Sequence, residues 1–349
     1  MQIQAEPFTI HKRFALTISR GTSSHSTNIW VRLRHQGIEG WGEASPFSVR
    51  DRQTPENLVA SIASIAPKLS DYTPDDRQAI EPILVNLPSA ARCGIDLALH
   101  DWIGKRANLP LWKLWGLDRS RIVPTSATIG ISTPEAAIDR LRHWLDVAPF
   151  EAIKVKLGSP EGVEADRAML KAVLAESPRN AKISIDANGG WSLVDAIAMS
   201  HWLAEVGVTY IEQPIAAGQE ADLPKLCRES PLPIFVDESC FTSADIPSLS
   251  DRVHGINIKL MKSGGLSEAL RMVHTAQACG LQIMFGCYSD SAIANTAAAQ
   301  LAPYADHLDL DSHLNLVDDP FVGAELVGGC LRPIDRPGLG VVRQGETKC

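Results

Sequence analysis

The sequence predicts an α/β chain, a (β/α)8 (TIM-type) barrel with an N-terminal α+β capping domain. Three observations carry that reading. From about residue 123 onward, short runs rich in β-branched residues alternate with helical patterns, as in repeated βαβ units. Five of these runs end in a charge: Ile153-Lys-Val-Lys156, Ile183-Ser-Ile-Asp186, Tyr210-Ile-Glu212, Ile234-Phe-Val-Asp237 and Ile256-Asn-Ile-Lys259. The steps from Lys156 through Asp186, Glu212 and Asp237 to Lys259 are 30, 26, 25 and 22 residues, which is what one strand plus one crossover helix requires. Finally, residues 1–50 are patterned as antiparallel strands and residues 55–115 as helices, a separate α+β unit. In a parallel barrel the C-terminal strand ends open on one mouth, where barrel active sites lie.

Taken in order, Phe14–Ile18 and Asn28–Arg34 read as strands, with Ser19–Ser26 as a polar loop between them. Arg34-His-Gln-Gly37 supplies a turn, and Ile38 to Ala44 runs on into Ser45-Pro46. Leu58, Ile62 and Ile65 recur on one helical face, and Ala90–Trp102 forms a second helix. The barrel strands follow at Thr125–Gly130, Ile153–Lys156, Ile183–Asn188, Tyr210–Glu212, Ile234–Glu238, Gly255–Leu260, Leu281–Gly286 and His307–Asp311. Helical stretches at Pro134–Leu145, Asp195–Glu205, Leu266–Cys279 and Ser291–Leu301 separate several of them. The expected division is a capping domain at 1–120, a barrel at 121–318, and a segment at 319–349 that returns to the capping domain.

Composition narrows the class. A chain of 349 residues, 45% apolar and 21% charged, has the make-up of an ordinary soluble protein. The net charge of −8 argues against nucleic acid or an anionic membrane surface as partner, and no long apolar run predicts a membrane span. Seven scattered cysteines (93, 227, 240, 279, 287, 330 and 349) without a Cys-x-x-Cys pair fit a reduced cytoplasm. The first 20 residues alternate apolar and polar, so no secretory leader is expected. A homo-oligomer is left open.

The charged strand ends suggest chemistry. Asp186, Glu212 and Asp237 at three neighbouring strand ends repel one another unless a cation sits among them, and hard oxygen donors without His or Cys select Mg2+. Any one of them alone also suits a helix cap. Lys154 and Lys156 are two apart and share one face of a strand, while Lys259 lies four strands further round the ring. A lysine beside another cation has a lowered pKa, and two lysines on opposite sides of a carbon can exchange its proton from both faces.

The order K-x-K, D-x-N, E-Q-P, D-E-S and N-I-K-L-x-K-x-G-G resembles the enolase superfamily, in its muconate lactonizing enzyme-like subgroup. Trp41-Gly-Glu-Ala-Ser-Pro46, Gly94–Asp101 and Arg336-Pro-Gly-Leu-Gly340 are similar to that family's capping signatures. The resemblance implies that Asp186, Glu212 and Asp237 bind Mg2+, which stabilises an enediolate. It makes Lys156 and Lys259 the acid/base pair, with Lys154 lowering the pKa of Lys156. The Asp309-x-Asp311 pair in strand eight looks like the mark of dipeptide epimerases, holding a substrate ammonium that would relieve two otherwise unpaired acids. Lys154, Thr128, Asp309 and Asp311 then form the substrate-binding group. The alternatives are an o-succinylbenzoate synthase or a muconate-type cycloisomerase on the same scaffold. Thr17 stands where relatives acting on Ala-Glu carry an arginine, and Asp290 where relatives carry glutamate. The Ser19–Ser26 and Pro46–Gln53 loops are expected to close over the substrate.

Overall fold

The computed structural model describes residues 1–50 and 52–345. Asp51 of the expected 46–53 loop, Cys349 and the last four residues of the expected C-terminal segment lie outside the described residues.

The chain opens with a three-stranded antiparallel sheet, β1 (Gln2–Ile18), β2 (Gly21–His35) and β3 (Ile38–Ala44). The β2–β3 turn uses Gln36 (φ 49°) and Gly37 (φ 76°), the left-handed pair that a two-residue hairpin needs. Ser19–Ser26 is not the expected loop. Only Ser19 and Arg20 turn, and β2 begins at Gly21. The polar run stays extended because its hydroxyls pair across the hairpin, Thr17 with Thr22 and Thr9 with Thr27, each at 2.9 Å.

Four helices follow: α1 (Pro55–Leu69), α2 (Arg77–Leu84), α3 (Ser89–Ala107) and α4 (Leu111–Leu114). Thr54 and Asn57 form a reciprocal capping box that starts α1, and Leu58, Ile62, Ile65 and Leu69 line its buried face. β3 packs tightly on α3, because a side chain at Gly40 or Gly42 would collide with the carbonyls of Ala98 or Gly94. Asp101 of α3 accepts from the amides of Trp41 and Leu339, both at 2.8 Å. The three short capping signatures thus meet at one buried carboxylate.

The barrel strands are β4 (Ser126–Ile129), β5 (Ala152–Lys156), β6 (Lys182–Asp186), β7 (Ile211–Glu212), β8 (Ile234–Val236), β9 (Gly255–Ile258), β10 (Gln282–Gly286) and β11 (His307–Asp309). They pair in sequence order, all parallel, and one bridge between Thr125 and Leu308 joins the last strand to the first. The outer helices are α5 (Pro134–Val147), α6 (Val163–Glu176), α7 (Leu193–Glu205), α8 (Leu223–Glu229), α9 (Leu260–Ser263), α10 (Leu266–Ala278) and α11 (Ala292–Gln300). Strand β11 ends at Asp309, so Asp311 is not on it; φ −102° and ψ −7° put Asp311 in a helical turn. No described helix is long and apolar enough to cross a membrane, and the six described cysteines are free.

Candidate active site

The nine residues singled out in the sequence are all buried, and their contacts join them at the strand ends. Lys156 at the end of β5 donates to Asp186 Oδ2 at 2.5 Å. Lys259, just past β9, lies 2.8 Å from Asp237 Oδ2. Lys154 links the two flanks: its Nζ pairs with Glu212, is 2.7 Å from Asp309 Oδ2 and 3.8 Å from Asp186 Oδ2.

These contacts decide the local charge. Burial pushes Glu212 up to about 7, with Asp186 and Asp237 adding to the rise. Burial also opposes ionisation of Asp237, yet Lys259 and Lys262 hold it well below the usual carboxylate range. Burial would lower Lys154 and Lys259, but Asp309 and Glu212 around the first, and Asp237 beside the second, raise both ammonium groups well above their ordinary value. Carboxylates dominate the surroundings of these two lysines.

Neighbouring side chains aim the acids. The Asn188 amide and Nδ2 donate to Asp186 at 2.8 and 3.1 Å, and Asn257 Nδ2 donates to Glu212 Oε1 at 2.7 Å. Gln213 Oε1 accepts from the Asp237 amide at 2.9 Å. Asn188 and Gln213 hold φ values of 44° and 38°, a strained backbone at the point where the acids turn inward. Lys262 is fully buried and donates to Asp237 Oδ1 at 2.5 Å and to the carbonyls of Asp237, Cys240 and Asn257. The Lys262–Gly265 stretch is thus an anchor for Asp237; its lysine has no room for an outside anion.

The strand-eight side corrects one expectation. Asp309 is not unpaired: Oδ2 meets Lys154, and Oδ1 accepts from Ser126 Oγ at 2.7 Å and Thr128 Oγ1 at 3.0 Å. Asp311 Oδ2 accepts the Thr128 amide, at 2.6 Å. Burial and then the Asp309 charge push Asp311 up to about 6. Thr128 therefore orients both carboxylates.

The capping domain covers this mouth. The ring of Tyr288 lies 4.6 Å from Lys259 Nζ and stacks on Phe47 with centroids 4.8 Å apart. At the hairpin tip Arg20 pairs with Glu238 at 2.8 Å, and Ser19 and Arg20 donate to the Asn188 carbonyl at 3.1 Å. The Thr17 hydroxyl is engaged by Thr22, and it is Leu16 that lines the cavity containing Lys156 and Asp311. Asp290 is buried and accepts the Tyr288 amide at 3.1 Å.

Comparison with known proteins gives the arrangement a lineage. Residues 136–347 match the family model "Enolase C-terminal domain-like", and residues 4–116 match the mandelate racemase / muconate lactonizing enzyme N-terminal domain. The chain belongs to the enolase superfamily. It is similar to a protein of Roseobacter litoralis named hydrophobic dipeptide epimerase, 43% identical over 98% of this chain and 99% of that one. A Flavobacteria bacterium protein of the same name is 41% identical over 99% of each chain. Among solved structures, a dipeptide epimerase from Cytophaga hutchinsonii complexed with Mg and D-Ala-L-Val superimposes with a TM-score of 0.92 at 26% identity, covering 99% of this chain and 97% of that one. One from Enterococcus faecalis complexed with Mg and L-Leu-L-Tyr gives 0.91 at 29% identity, covering 97% and 98%.

The superfamily barrel raises the question of a divalent cation. Among the described residues, no three acids are gathered into a ready cluster, since Lys156 and Lys259 each hold one of them. The donor set nevertheless fits a hard cation. Glu212 Oε2, Asp237 Oδ2 and Glu238 Oε2 are buried without a hydrogen bond, although lysine ammonium groups approach the first two as ion pairs. Asp186 and Asp237 also raise Glu212 by repulsion. All-oxygen donors under mutual repulsion suit Mg2+, whose charge would stand in for that of Lys154, Lys156 and Lys259 on Glu212, Asp186 and Asp237.

The sequence reads Lys262 only as part of a loop turn that could also bind an anion, and does not single out Tyr288, Phe47 or Arg20. Lys262 was legible as the second lysine of its strand-six motif. The other three carry no local signal, because each depends on the capping domain meeting the barrel.

Proposed function

We propose that this chain epimerises the Cα of the C-terminal residue of a free dipeptide. Asp186, Glu212 and Asp237 would hold Mg2+, and Lys156 and Lys259 would move the proton. The observation that carries this reading is the placement of the two lysines. They end strands four apart in an eight-stranded ring, and each contacts a different member of one set of acids. A substrate carbon between them faces one lysine on each side. The lysine on one face accepts the α-proton as a neutral amine, and the ammonium on the other face returns one. Lys154 and Lys156 share Asp186 Oδ2 as counter-ion, so the carboxylate that holds Lys156 is divided between two cations. Bound Mg2+ would stabilise the negative charge that the substrate carboxylate gains as the proton leaves. Asp311, the less satisfied acid of the strand-eight pair, would take the substrate's α-ammonium, with Asp309 and Thr128 fixing its position.

Two relatives are named hydrophobic dipeptide epimerase, and we place the apolar side chain on the C-terminal residue. The Phe47–Tyr288 stack over Lys259 agrees with that class. The test is a dipeptide library incubated with enzyme and Mg2+ in D2O, followed by mass and NMR detection of α-deuterium. Exchange confined to free dipeptides supports the proposal. Absence of exchange across the library refutes it, and equal reaction of amine-free acids brings forward the synthase or cycloisomerase alternative.

A further inference from the structure

The strand-eight side of the mouth carries more positive charge than the proposed reaction uses. Between the pairs His11–His25 and Leu16–Ser23, five residue steps of β1 run against two of β2. Such a bulge re-aims side chains, and Lys12 and Leu16 here line the cavity that also contains Lys156 and Asp311. Lys12 is half-buried, and among the described residues its ammonium meets the Ser23 hydroxyl at 3.1 Å and carbonyl at 3.4 Å. Arg140 of α5 lines the same cavity, its guanidinium 4.2 Å from the Phe14 ring centroid and 4.5 Å from that of Trp144. The rings pack on the guanidinium and offer it no acceptor. Among the described residues Arg140 makes no salt bridge; Asp311 is the carboxylate whose charge reaches it, from a greater distance.

The groups facing these two cations do not balance them. Asp309 is engaged by Lys154, Ser126 and Thr128. The Cys287 thiol is pushed up by burial and stays neutral, while Arg13 adds like charge beside Arg140. Only Asp311 remains. If the proposed epimerisation holds, the substrate ammonium neutralises Asp311 and leaves Lys12 and Arg140 without a counter-ion. The side chain on the same substrate carbon as that ammonium enters this cavity. A cationic side chain there would meet two like charges, an apolar one would leave both uncompensated, and a carboxylate would pair with them.

We infer that Lys12 and Arg140 form a subsite for the substrate's N-terminal residue and select dipeptides that begin with aspartate or glutamate. This rests on the dipeptide reading and adds the N-terminal preference to it. The discriminating pair is L-Glu-L-Leu and its near-isosteric amide L-Gln-L-Leu, compared by kcat/KM and by calorimetric binding with Mg2+ present. Charge-assisted hydrogen bonds predict a Glu-over-Gln preference of about 10-fold or more in the wild type. Arg140→Met should bring that ratio close to one, and Lys12→Met should narrow it. Because Arg140 packs on two rings, the melting temperature of each variant is measured alongside, and Lys12→Met, which disturbs no ring contact, serves as the second probe. A wild-type ratio at or below one, or a ratio unchanged in both variants, overturns the subsite. Epimerisation without acidic preference refutes the subsite alone. Acidic preference in binding without α-proton exchange refutes the reaction and keeps the subsite.

Discussion

From β5 to β9 Asp186, Glu212 and Asp237 are each answered by a lysine and Glu238 by Arg20, whereas the β11–β4 side satisfies Asp309 with three donors and gives Asp311 one backbone amide. The first side has the composition of a proton-transfer site, in which mobile ammonium groups sit against carboxylates. The second has the composition of a recognition site, where one rigidly held acid orients another that still has acceptor capacity. Burial is similar on both sides, so it is the partners that differ. A charge matched by a flexible partner can be released to a metal or a proton; a charge held by strand hydroxyls cannot.

The proposed division of labour is broken most severely by removing the metal. Chelation should abolish turnover and added Mg2+ should restore it, while Asp237→Asn should raise the Mg2+ concentration needed for half-activity. A thoroughly metal-free preparation that turns over at full rate would contradict the assignment. Next in size, Lys156→Ala and Lys259→Ala should each lose net epimerisation by at least about 10²–10⁴-fold. Deuterium exchange on each pure epimer sharpens this, since the surviving lysine reaches one face and only one epimer should exchange. Wild-type turnover in either variant rules out a two-base mechanism.

On the recognition side the effects should be smaller. Asp311→Asn should cost about 10- to 100-fold in kcat/KM for free dipeptides, the worth of one charge-assisted bond. N-acetylation of the substrate should hurt the wild type comparably and add little in the variant. The sign with pH follows from a carboxyl raised to about 6: Asp311 is ionised only above that value, so kcat/KM should fall as pH drops through it. An unchanged acidic limb in Asp311→Asn would remove Asp311 from that role.

The smallest expected effect concerns the joint between the two domains. Glu43 of β3 accepts from Asn28, from the amides of Ser291 and Ala294 and from the Ser291 hydroxyl, holding the start of α11. Burial, then the nearby Asp290, raise it from 4.5 to about 8. A raised folded pKa means that the stabilisation is complete below about 4.5 and is lost as pH rises toward 8. The melting temperature should decline across that window, by about 1–2 °C per kcal/mol lost in a chain of this length. Glu43→Gln should melt lower at acid pH and show a flatter profile. An identical pH slope in wild type and variant would exclude Glu43 as its source.

Much of this was written in the chain itself. Period-two runs ending in Lys156, Asp186, Glu212, Asp237 and Lys259, spaced by one crossover each, determined the barrel and brought those five charges to one mouth, since parallel strand ends have nowhere else to converge. Local pattern was less informative where side chains pair across space. The hydroxyl-rich 19–26 stretch reads as a loop from composition, yet from Gly21 on it is strand because its partners lie on β1. Asp309 and Asp311 look equivalent two residues apart, but the strand ends between them and Lys154 reaches only the first. The bulge that brings Lys12 into a cavity with Arg140, and the stack of Phe47 on Tyr288 above Lys259, join residues 128 and 241 positions apart. Sequence periodicity reports which face of an element is apolar. Which charge finds which partner depends on distances across the fold, and only the assembled tertiary structure sets those.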